Sequence, residues 1–363
     1  MKQGTNAAIM RKNNEKAILS LINTRPVSRA EIAKITGLTR AAVTIIVEDL
    51  IGRGYIIETP TEQATVGRQP VLLSFNGRSI YSIGINITRK GVYVGISNMN
   101  GEVLIEESTA FQTPDTFFAT IKEIVERLII NAGIDPCRIY GIGVVSPGPI
   151  NAKEQKILNP PNFNPWHNIF VAERLKECLS YEILFENVSN AGALAEMYFG
   201  PAKGVDNFMA LLVDEGIGSG IVQQHQLFGG INELGHTSIC YDGITCECGN
   251  KGCLEKYASI PMILKETGLT TWKEVIDTGN MEIMRREAEY LGTAITSANN
   301  LFPLDMLVLC GDLRYQPEQM IALISEQVNQ KRLYHKTLHI CAGQVTSKSL
   351  IASSVVIHDF FTN

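Results

Sequence analysis

The order of apolar and polar residues in the first 75 positions predicts three short helices followed by a hairpin. An apolar stripe before Pro26 indicates the first helix and consists of Ala17, Ile18, Leu21 and Ile22. A second helix opens at the capping-box sequence Ser28-Arg-Ala-Glu31 and ends at Gly37. Its apolar residues, Ile32 and Ile35, are expected to face inward.

A third helix is predicted to begin after Thr39, which can cap it, and to end at Gly52-Arg-Gly54. Two strand-like segments, 55–57 and 71–75, then flank a polar loop. The buried face of the third helix follows the 3.6-residue period and consists of Val43, Ile46, Val47 and Leu50. Helix, glycine turn, helix and β-wing are typical of a winged helix-turn-helix domain, which we assign to residues 1–75.

Such a domain meets DNA through the start of its third helix and through its wing. Arg40 could reach a guanine and Thr44 a phosphate or a thymine methyl, while Gly67 and Arg68 could reach the backbone or the minor groove. The predicted DNA-contacting residues are Ser28, Arg29, Thr39, Arg40, Ala41, Thr44 and Arg68. A small helical packing domain is the alternative, because short three-helix patterns are common.

From about Ser79 onward, strand-like and helix-like segments alternate. Strands are expected at 81–87, 91–97, 103–105, 139–145 and 183–186, and helices near 116–131, 172–179 and 191–198. This alternation predicts an α/β body whose sheets are covered by helices on both faces.

Composition and charge narrow the class of protein. Of 363 residues, 45% are hydrophobic and 19% are charged, as in a globular chain with a full core. No apolar run approaches the ~18 residues of a membrane helix, and residues 1–14 lack the apolar core of a secretory signal, so a cytoplasmic location is expected.

The charge is distributed unevenly along the chain. Residues 1–75 hold ten Lys or Arg and six Asp or Glu, a net charge of +4, whereas the remainder holds 22 Lys or Arg and 31 Asp or Glu, a net charge of −9. The imbalance favours a polyanionic partner for the first segment, with chance scatter as the alternative.

Three cysteines and a histidine carry the strongest chemical signal. Cys246, Cys248 and Cys253 lie within eight residues, and His236 precedes the first by ten. Together they can close a tetrahedral site, and sulfur with nitrogen favours Zn(II). Four protein ligands leave no open position, so the zinc is expected to be structural. Cys240 is a rival ligand, coincidental clustering is the alternative, and the scattered cysteines are interpreted as small core residues: Cys137, Cys178, Cys310 and Cys341.

Two further patterns are less specific. Gly216-Ile-Gly218-Ser-Gly220 follows a strand-like segment and predicts either a close approach to phosphate or a tight hairpin. Glu233, His236 and Glu255 bracket the cysteine segment. A metal-held imidazole beside carboxylates would suit hydrogen bonds to sugar hydroxyls, although solvated acidic residues are an equal interpretation.

Over nearly its whole length the chain resembles the ROK family of repressors, open reading frames and sugar kinases, and within it the transcriptional-repressor branch. Glu233-Leu-Gly-His236 is similar to the family's ExGH sugar motif, and the segment from Cys246 to Glu255 is similar to its zinc signature. The resemblance implies a winged helix-turn-helix head on an actin-like (ribonuclease H-like) body of two α/β lobes. The lobes would span residues 76–185, joined by a C-terminal helix at about 350–363, and residues 186–349, which include the zinc loop.

The resemblance also assigns roles to single positions. The family's kinases hold the sugar at positions that correspond here to Asn162, Asn187, Glu233, His236 and Glu255. Val188 stands where those kinases have the Asp that takes the proton from the attacking hydroxyl, and valine has no proton acceptor. Asn86-Ile-Thr-Arg-Lys90 replaces the first phosphate loop, Asp-x-Gly-Gly-Thr, and Asn232 replaces the glycine before ExGH. The first two departures imply that phosphoryl transfer is lost, so no enzymatic activity is expected. The third, Asn232, puts the sugar preference in doubt more than sugar binding itself.

The implied function is a sugar-responsive repressor of carbohydrate-utilisation genes that a monosaccharide releases from operator DNA. Xylose, glucose and an N-acetylated hexosamine are the candidate effectors, and a homodimer or tetramer with structural Zn(II) and no membrane partner is expected. When bound to DNA the protein would be associated with the bacterial nucleoid. The alternatives are an ATP-dependent sugar kinase with a DNA-binding head, a regulator controlled by a protein partner, and an activator.

Overall fold

A computed structural model describes residues 7–59, 71–161, 163–230, 232–331 and 337–362, and it begins with a winged helix-turn-helix head. The strands of the head form one antiparallel sheet in the order β1-β3-β2. Its elements are α1 (Ala7–Thr24), β1 (Val27–Ser28), α2 (Arg29–Thr36), α3 (Arg40–Gly52), β2 (Ile56–Thr59) and β3 (Leu72–Phe75). The predicted order of helices, turn and wing strands is therefore confirmed.

Capping determines where the head helices begin and end. Ser28 Oγ accepts a hydrogen bond from the Glu31 amide at 3.3 Å, and Thr39 Oγ1 accepts one from the Ala42 amide at 3.2 Å. Gly37 ends α2 in the left-handed conformation, with φ of 72°. The inward orientation predicted for Ile35 is wrong: this side chain is 53% exposed, because the short α2 buries only Ile32.

The first lobe is built on a five-stranded sheet in the order β11-β7-β4-β5-β6. Strands β4, β7 and β11 run parallel, whereas β4, β5 and β6 form an antiparallel meander. A small antiparallel sheet of β8, β9 and β10 lies beside it. The elements are β4 (Tyr81–Ile87), β5 (Gly91–Asn98), β6 (Val103–Ala110), α4 (Pro114–Ala132), β7 (Ile139–Ser146), β8 (Ile150–Asn151), β9 (Lys156–Ile157), β10 (Ile169–Phe170), α5 (Val171–Lys176) and β11 (Ile183–Asn187).

The second lobe repeats this topology with the sheet order β14-β13-β12-β15-β16. Strands β12, β13 and β14 form the meander, and β15 and β16 run parallel to β12. Its elements are α6 (Val188–Phe199), β12 (Phe208–Val213), β13 (Ile217–Gln223), β14 (Gln226–Leu227), α7 (Glu255–Ala258), α8 (Ile260–Thr267), α9 (Trp272–Asp277), α10 (Met281–Leu301), β15 (Met306–Gly311), α11 (Glu318–Lys331) and β16 (His339–Ala342). Two such lobes facing each other give the actin-like body.

The predicted glycine run is a tight hairpin between β12 and β13, one of its two interpretations. Val213 pairs with Ile217, and the Asp214 amide donates to Gly216 O at 3.0 Å. A Cβ at Gly218 would lie 2.1 Å from Ser189 Oγ. The glycine there lets α6 pack directly on the second sheet.

The last helix, α12 (Lys348–Thr362), connects the cleft side of the body to the head. Its backbone lies so close to the first sheet that a Cβ at Gly84 would be 1.9 Å from Ser349 O. At the other end Phe360 and its neighbours enter the head core, with the Phe360 ring 5.8 Å from that of Tyr55 and 5.9 Å from that of Phe75. None of the described helices is both long enough and apolar enough to span a bilayer.

Candidate functional site

A cleft opens between the two lobes at the amino end of α6. Asn187 ends β11 and caps α6, because its Oδ1 accepts a hydrogen bond from the Ser189 amide at 2.8 Å. Its Nδ2 faces Gly148, where a Cβ would lie 2.5 Å away. Val188 lines the cleft directly after it and offers only a hydrocarbon side chain.

Glu233, His236 and Glu255 line the same cleft, so the structure brings them together with Asn187. A short 3-10 turn, Leu234–His236, holds the first two, and it packs so closely on β13 that a Cβ at Gly235 would lie 2.2 Å from Ile217 O. Glu255 begins α7, and its Oε2 accepts from the Ile217 amide at 2.9 Å. Asn162 lies outside the described residues.

The electrostatics of this half of the cleft favour neutral, hydroxylated ligands. Burial raises the pKa of Glu233 above its usual range, an effect that His236 opposes and the Glu255 carboxylate reinforces. Carboxyl, imidazole and amide groups thus converge on one space. Such a set can donate and accept several hydrogen bonds at once, as ring hydroxyls require.

The other half of the cleft, where the two hairpin turns meet, carries ion pairs. Lys90, in the turn after β4, lies 3.1 Å from Glu215 in the turn after β12. Lys348 lies 3.9 Å from Asp214 across the same gap. Burial lowers the pKa of Lys90, but the hydrogen bond and charge of Glu215 outweigh it, so the net direction is upward. These carboxylates therefore occupy the two lysines that could otherwise pair with the phosphates of a nucleotide.

Asn86 and Arg89 complete that region. Asn86 Nδ2 donates to Lys348 O at 3.0 Å, and its buried Oδ1 has no hydrogen-bond partner among the described residues. The Arg89 guanidinium donates to Pro161 O at 3.0 and 3.2 Å. Side chains therefore fill the turn after β4. To bind a phosphate, this turn would instead have to present its backbone amides.

A cluster of His236, Cys246, Cys248 and Cys253 lies beside the cleft, with all four ligand atoms within 4.8 Å of one another. The distance from Cys246 Sγ to His236 Nδ1 is 3.6 Å, and that from Cys248 Sγ to Cys253 Sγ is also 3.6 Å. Tetrahedral zinc with Zn–S bonds of about 2.3 Å places its sulfur ligands about 3.8 Å apart. The geometry therefore suits a tetrahedral metal ion.

Two glycines shape the loop that carries the cluster. Gly249 and Gly252 adopt left-handed conformations, with φ of 93° and 68°, and a Cβ at Gly252 would lie 1.6 Å from Cys240 O. Cys240 lies outside the cluster, and its thiol donates to Asp242 Oδ1 at 3.4 Å. Of the scattered cysteines, Cys137 is exposed, which contradicts its interpretation as a core residue, whereas Cys178, Cys310 and Cys341 are partly buried.

The head presents its own candidate surface at the start of α3. Arg40 and Ala41 are exposed there, Thr44 is half-buried, and its Oγ1 donates to Arg40 O at 2.9 Å. Arg29 is paired with Glu58 at 2.7 Å. Ser28 and Thr39 act as caps in the structure, and Arg68, with Gly67, lies outside the described residues. Arg40 thus remains the exposed cation on the predicted DNA-facing end of α3.

Sequence reasoning missed the ion pairs at the hairpin turns and the part played by Asn232. The ion pairs could have been expected from the acidic pair Asp214-Glu215, which lies directly before the glycine run. From the sequence alone, Asn232 stands out only as a replacement of the glycine before ExGH. In the structure it lines the cleft, and its Nδ2 is buried without a partner among the described residues.

Comparison with known proteins agrees with this architecture. The sequence model of the ROK family matches residues 82–356, and that of the MarR family matches residues 12–69. The chain is 28% identical to the xylose repressor of Bacillus subtilis (strain 168) over 97% of this chain and 96% of that protein. It is 24% identical to the DNA-binding transcriptional dual regulator NagC of Escherichia coli (strain K12), over 97% and 94%. A ROK family transcriptional regulator described as a homologue of the E. coli MLC protein superposes with a TM-score of 0.83 at 24% identity, with 97% of each chain covered. The two sequence models together cover the body and the head, and the ROK model alone matches more than half of the chain, so the chain belongs to the ROK family.

Proposed function

We propose that this protein is a transcriptional repressor that binds operator DNA through its head and releases it when a sugar binds between its lobes. The observation that carries the proposal is the joining, in one chain, of a winged helix-turn-helix to a cleft lined by Asn187, Glu233, His236 and Glu255. The names of its relatives, a xylose repressor and NagC, support the same function. Operator binding would take place in the bacterial cytoplasm.

The sugar is proposed to sit against the carboxyl and amide groups at the amino end of α6. Asn187 Nδ2 would donate to one hydroxyl, and Glu233 and Glu255 would accept from others. Xylose, glucose and N-acetylglucosamine are the first candidates to test. Asn162, if it joins the site, would do so from outside the described residues.

A zinc ion is proposed for the cysteine cluster, with a structural role. Coordination through His236 Nδ1, the atom near Cys246, would leave Nε2 free to hydrogen-bond a ligand in the cleft. The metal would then fix the direction of the imidazole. Loop geometry and sugar affinity would therefore depend on the same four ligands.

Phosphoryl transfer is not proposed, because two features of the cleft oppose it. Val188 provides no general base, and the loss of such a base alone costs about 10²–10⁴ in rate. The hairpin turns place Asp214 and Glu215 where nucleotide phosphates would have to approach. A sugar kinase with a DNA-binding head is thus the weaker alternative.

Helix α12 is proposed to carry the signal. Its first residue, Lys348, lines the cleft, and Phe360 lies in the head core. A rigid helix that contacts both places can couple sugar binding to head orientation in a dimer that spans two operator half-sites. Coupling of about 1–3 kcal/mol would weaken operator binding by roughly 5- to 150-fold.

The test uses two variants with opposite expected defects. His236→Cys keeps four metal ligands but removes the imidazole, so operator binding should persist while sugar release is lost. Arg40→Ala should lose operator affinity while retaining sugar binding. Fluorescence anisotropy with promoter DNA at fixed salt, with and without each sugar, measures operator binding and its release. Calorimetry measures sugar binding.

The outcomes separate the alternatives. Tighter operator binding with a sugar would make that sugar a co-repressor. Operator binding indifferent to every sugar would favour control by a protein partner. Absence of specific operator binding, together with sugar-dependent ADP release, would establish the kinase instead.

A further inference from the structure

A second cavity adjoins the cleft on the side of Asn187, Asn232 and Glu233, whose side chains line both spaces. We call it the distal cavity. It lies between β8, the start of α6 and the glycines that follow β14, Gly229 and Gly230. Its volume is about 370 Å³, at the lower end of the range of ligand cavities. A ring held by Asn187 and Glu233 in the cleft would therefore lie next to empty space.

The lining of the distal cavity restricts what could occupy it. Asn151, Glu186 and Asn190 supply amide and carboxyl groups, and Ile150 and Leu158 supply an apolar wall. Among the described residues that line it there is no Lys, Arg or His, so a phosphate or carboxylate would find no counter-charge. The surface is suited to a neutral molecule that has many hydroxyls and one apolar face.

The Asn232 amide lies at the junction of the two spaces. Its Nδ2 is buried without a hydrogen-bond partner among the described residues. Buried polar groups in native proteins are nearly always satisfied, so this donor between two cavities is available to an acceptor from outside the described residues, which a ligand can supply. The position belongs to the loop that carries Glu233, and the donor would therefore lie beside a bound ring.

We propose that the distal cavity binds a second sugar ring, so that the preferred effector is a neutral disaccharide or a longer saccharide, with Asn232 donating to the linkage or to the second ring. The inference rests on the proposed function, since it assumes that a first ring occupies the cleft. It replaces the monosaccharide expected from sequence with a larger ligand of the same chemistry.

Gly229 allows the distal cavity to be filled without disturbing the cleft. A Cβ at Gly229 meets no atom within 4 Å, and its backbone is outside the left-handed region, unlike that of Gly230 with φ of 136°. Gly229 is exposed at the rim of the distal cavity, so Gly229→Phe should fold and obstruct that cavity, and Gly229→Ala is its matched control. Asn232→Ala removes the unpaired donor alone.

The experiment is calorimetric titration of the full, metal-loaded protein with three pairs of probes: xylose and xylobiose, glucose and cellobiose, and N-acetylglucosamine and its β-1,4-linked dimer. In at least one pair the dimer is expected to bind about tenfold more tightly, since the second ring adds hydrogen bonds. Gly229→Phe should reduce that preference to about twofold or less without changing the affinity for the single sugar, and Gly229→Ala should preserve it. Asn232→Ala should weaken the binding of the dimer more than that of the single sugar.

Three results would overturn the inference. Equal or tighter binding of the single sugar in every pair would do so while leaving the proposed function intact. A dimer preference that survives Gly229→Phe would place the second ring elsewhere. Failure of both members of every pair to bind would remove the proposed function together with the inference.

Discussion

Asn187 has two roles that a pair of substitutions can separate. Its Oδ1 caps α6 by accepting from the Ser189 amide, whereas its Nδ2 faces Gly148 and the cleft. Serine is as good a helix cap as asparagine but lacks the amide donor. Asn187→Ser should therefore keep the cap and lose the sugar contact, and Asn187→Ala should lose both.

The expected magnitudes follow from the two hydrogen bonds. Loss of an N-cap costs roughly 1 kcal/mol, which lowers the melting temperature by at most about 2–4 °C, the range for a cooperative unit of about 150–250 residues. Loss of one neutral hydrogen bond to a sugar hydroxyl costs about 0.5–1.5 kcal/mol, or roughly 2- to 13-fold in affinity. Asn187→Ser should show only the second effect and Asn187→Ala both.

Thermal unfolding of the metal-loaded protein reports the cap, and calorimetric titration with the best-binding sugar reports the donor. Equal destabilisation by Ser and Ala would show that the cap contributes nothing measurable. Unchanged sugar affinity in Asn187→Ser would refute the assignment of Nδ2 to the ligand. Wild-type operator binding by both variants in the absence of sugar is the control.

Three further predictions concern the metal, the phosphate region and the core. Chelation, or Cys253→Ser, should lower both the melting temperature and the sugar affinity. Restoration of both by zinc added back to the chelated wild-type protein distinguishes metal loss from general damage. Val188→Asp restores the family's general base but should yield no sugar-dependent ADP release, because Glu215 and Asp214 remain paired with the lysines that phosphates would need; measurable turnover would contradict the role given to those ion pairs. Glu287 is buried in the second lobe, neither carboxyl oxygen has a partner among the described residues, and burial raises its pKa well above the usual range. The folded protein thus holds this proton more tightly than the unfolded chain, so Glu287 costs stability increasingly as the pH rises above its unfolded pKa, and Glu287→Met should stabilise by about 1–3 kcal/mol at pH 8 and by less at pH 5. Denaturant unfolding at the two pH values measures the difference, and a gain independent of pH would argue against a buried titrating carboxyl.

The parts of the fold that sequence predicted are those that depend on neighbouring residues. Two examples are the helix caps and the cysteine cluster. Each involves residues that lie within about a dozen positions of one another, namely Ser28 and Thr39 with the helices they cap, and Cys246, Cys248 and Cys253. Their local chemistry therefore specifies their structure. The resemblance to a family added the cleft residues, which are far apart in sequence.

The parts that sequence could not predict depend on contacts between distant segments. Asn86 meets Lys348, and Lys90 meets Glu215, only because the two lobes place their equivalent hairpins opposite each other. The distal cavity is likewise a space between segments and has no sequence pattern. For Ile35 the sequence pattern predicts burial that the structure does not have. An apolar residue at helical spacing stays exposed when a short helix buries only one of its positions.

The insertion of α12 into the head has a consequence for protein synthesis. Phe75 emerges from the ribosome long before Phe360, the residue whose ring it contacts in the finished protein. At about 5–20 residues per second, the interval is roughly 15 to 60 s. During that time the head lacks part of its core, and a nascent chain would be a poor competitor for operator sites. The operator would thus be read by molecules whose sugar-sensing body has already been made.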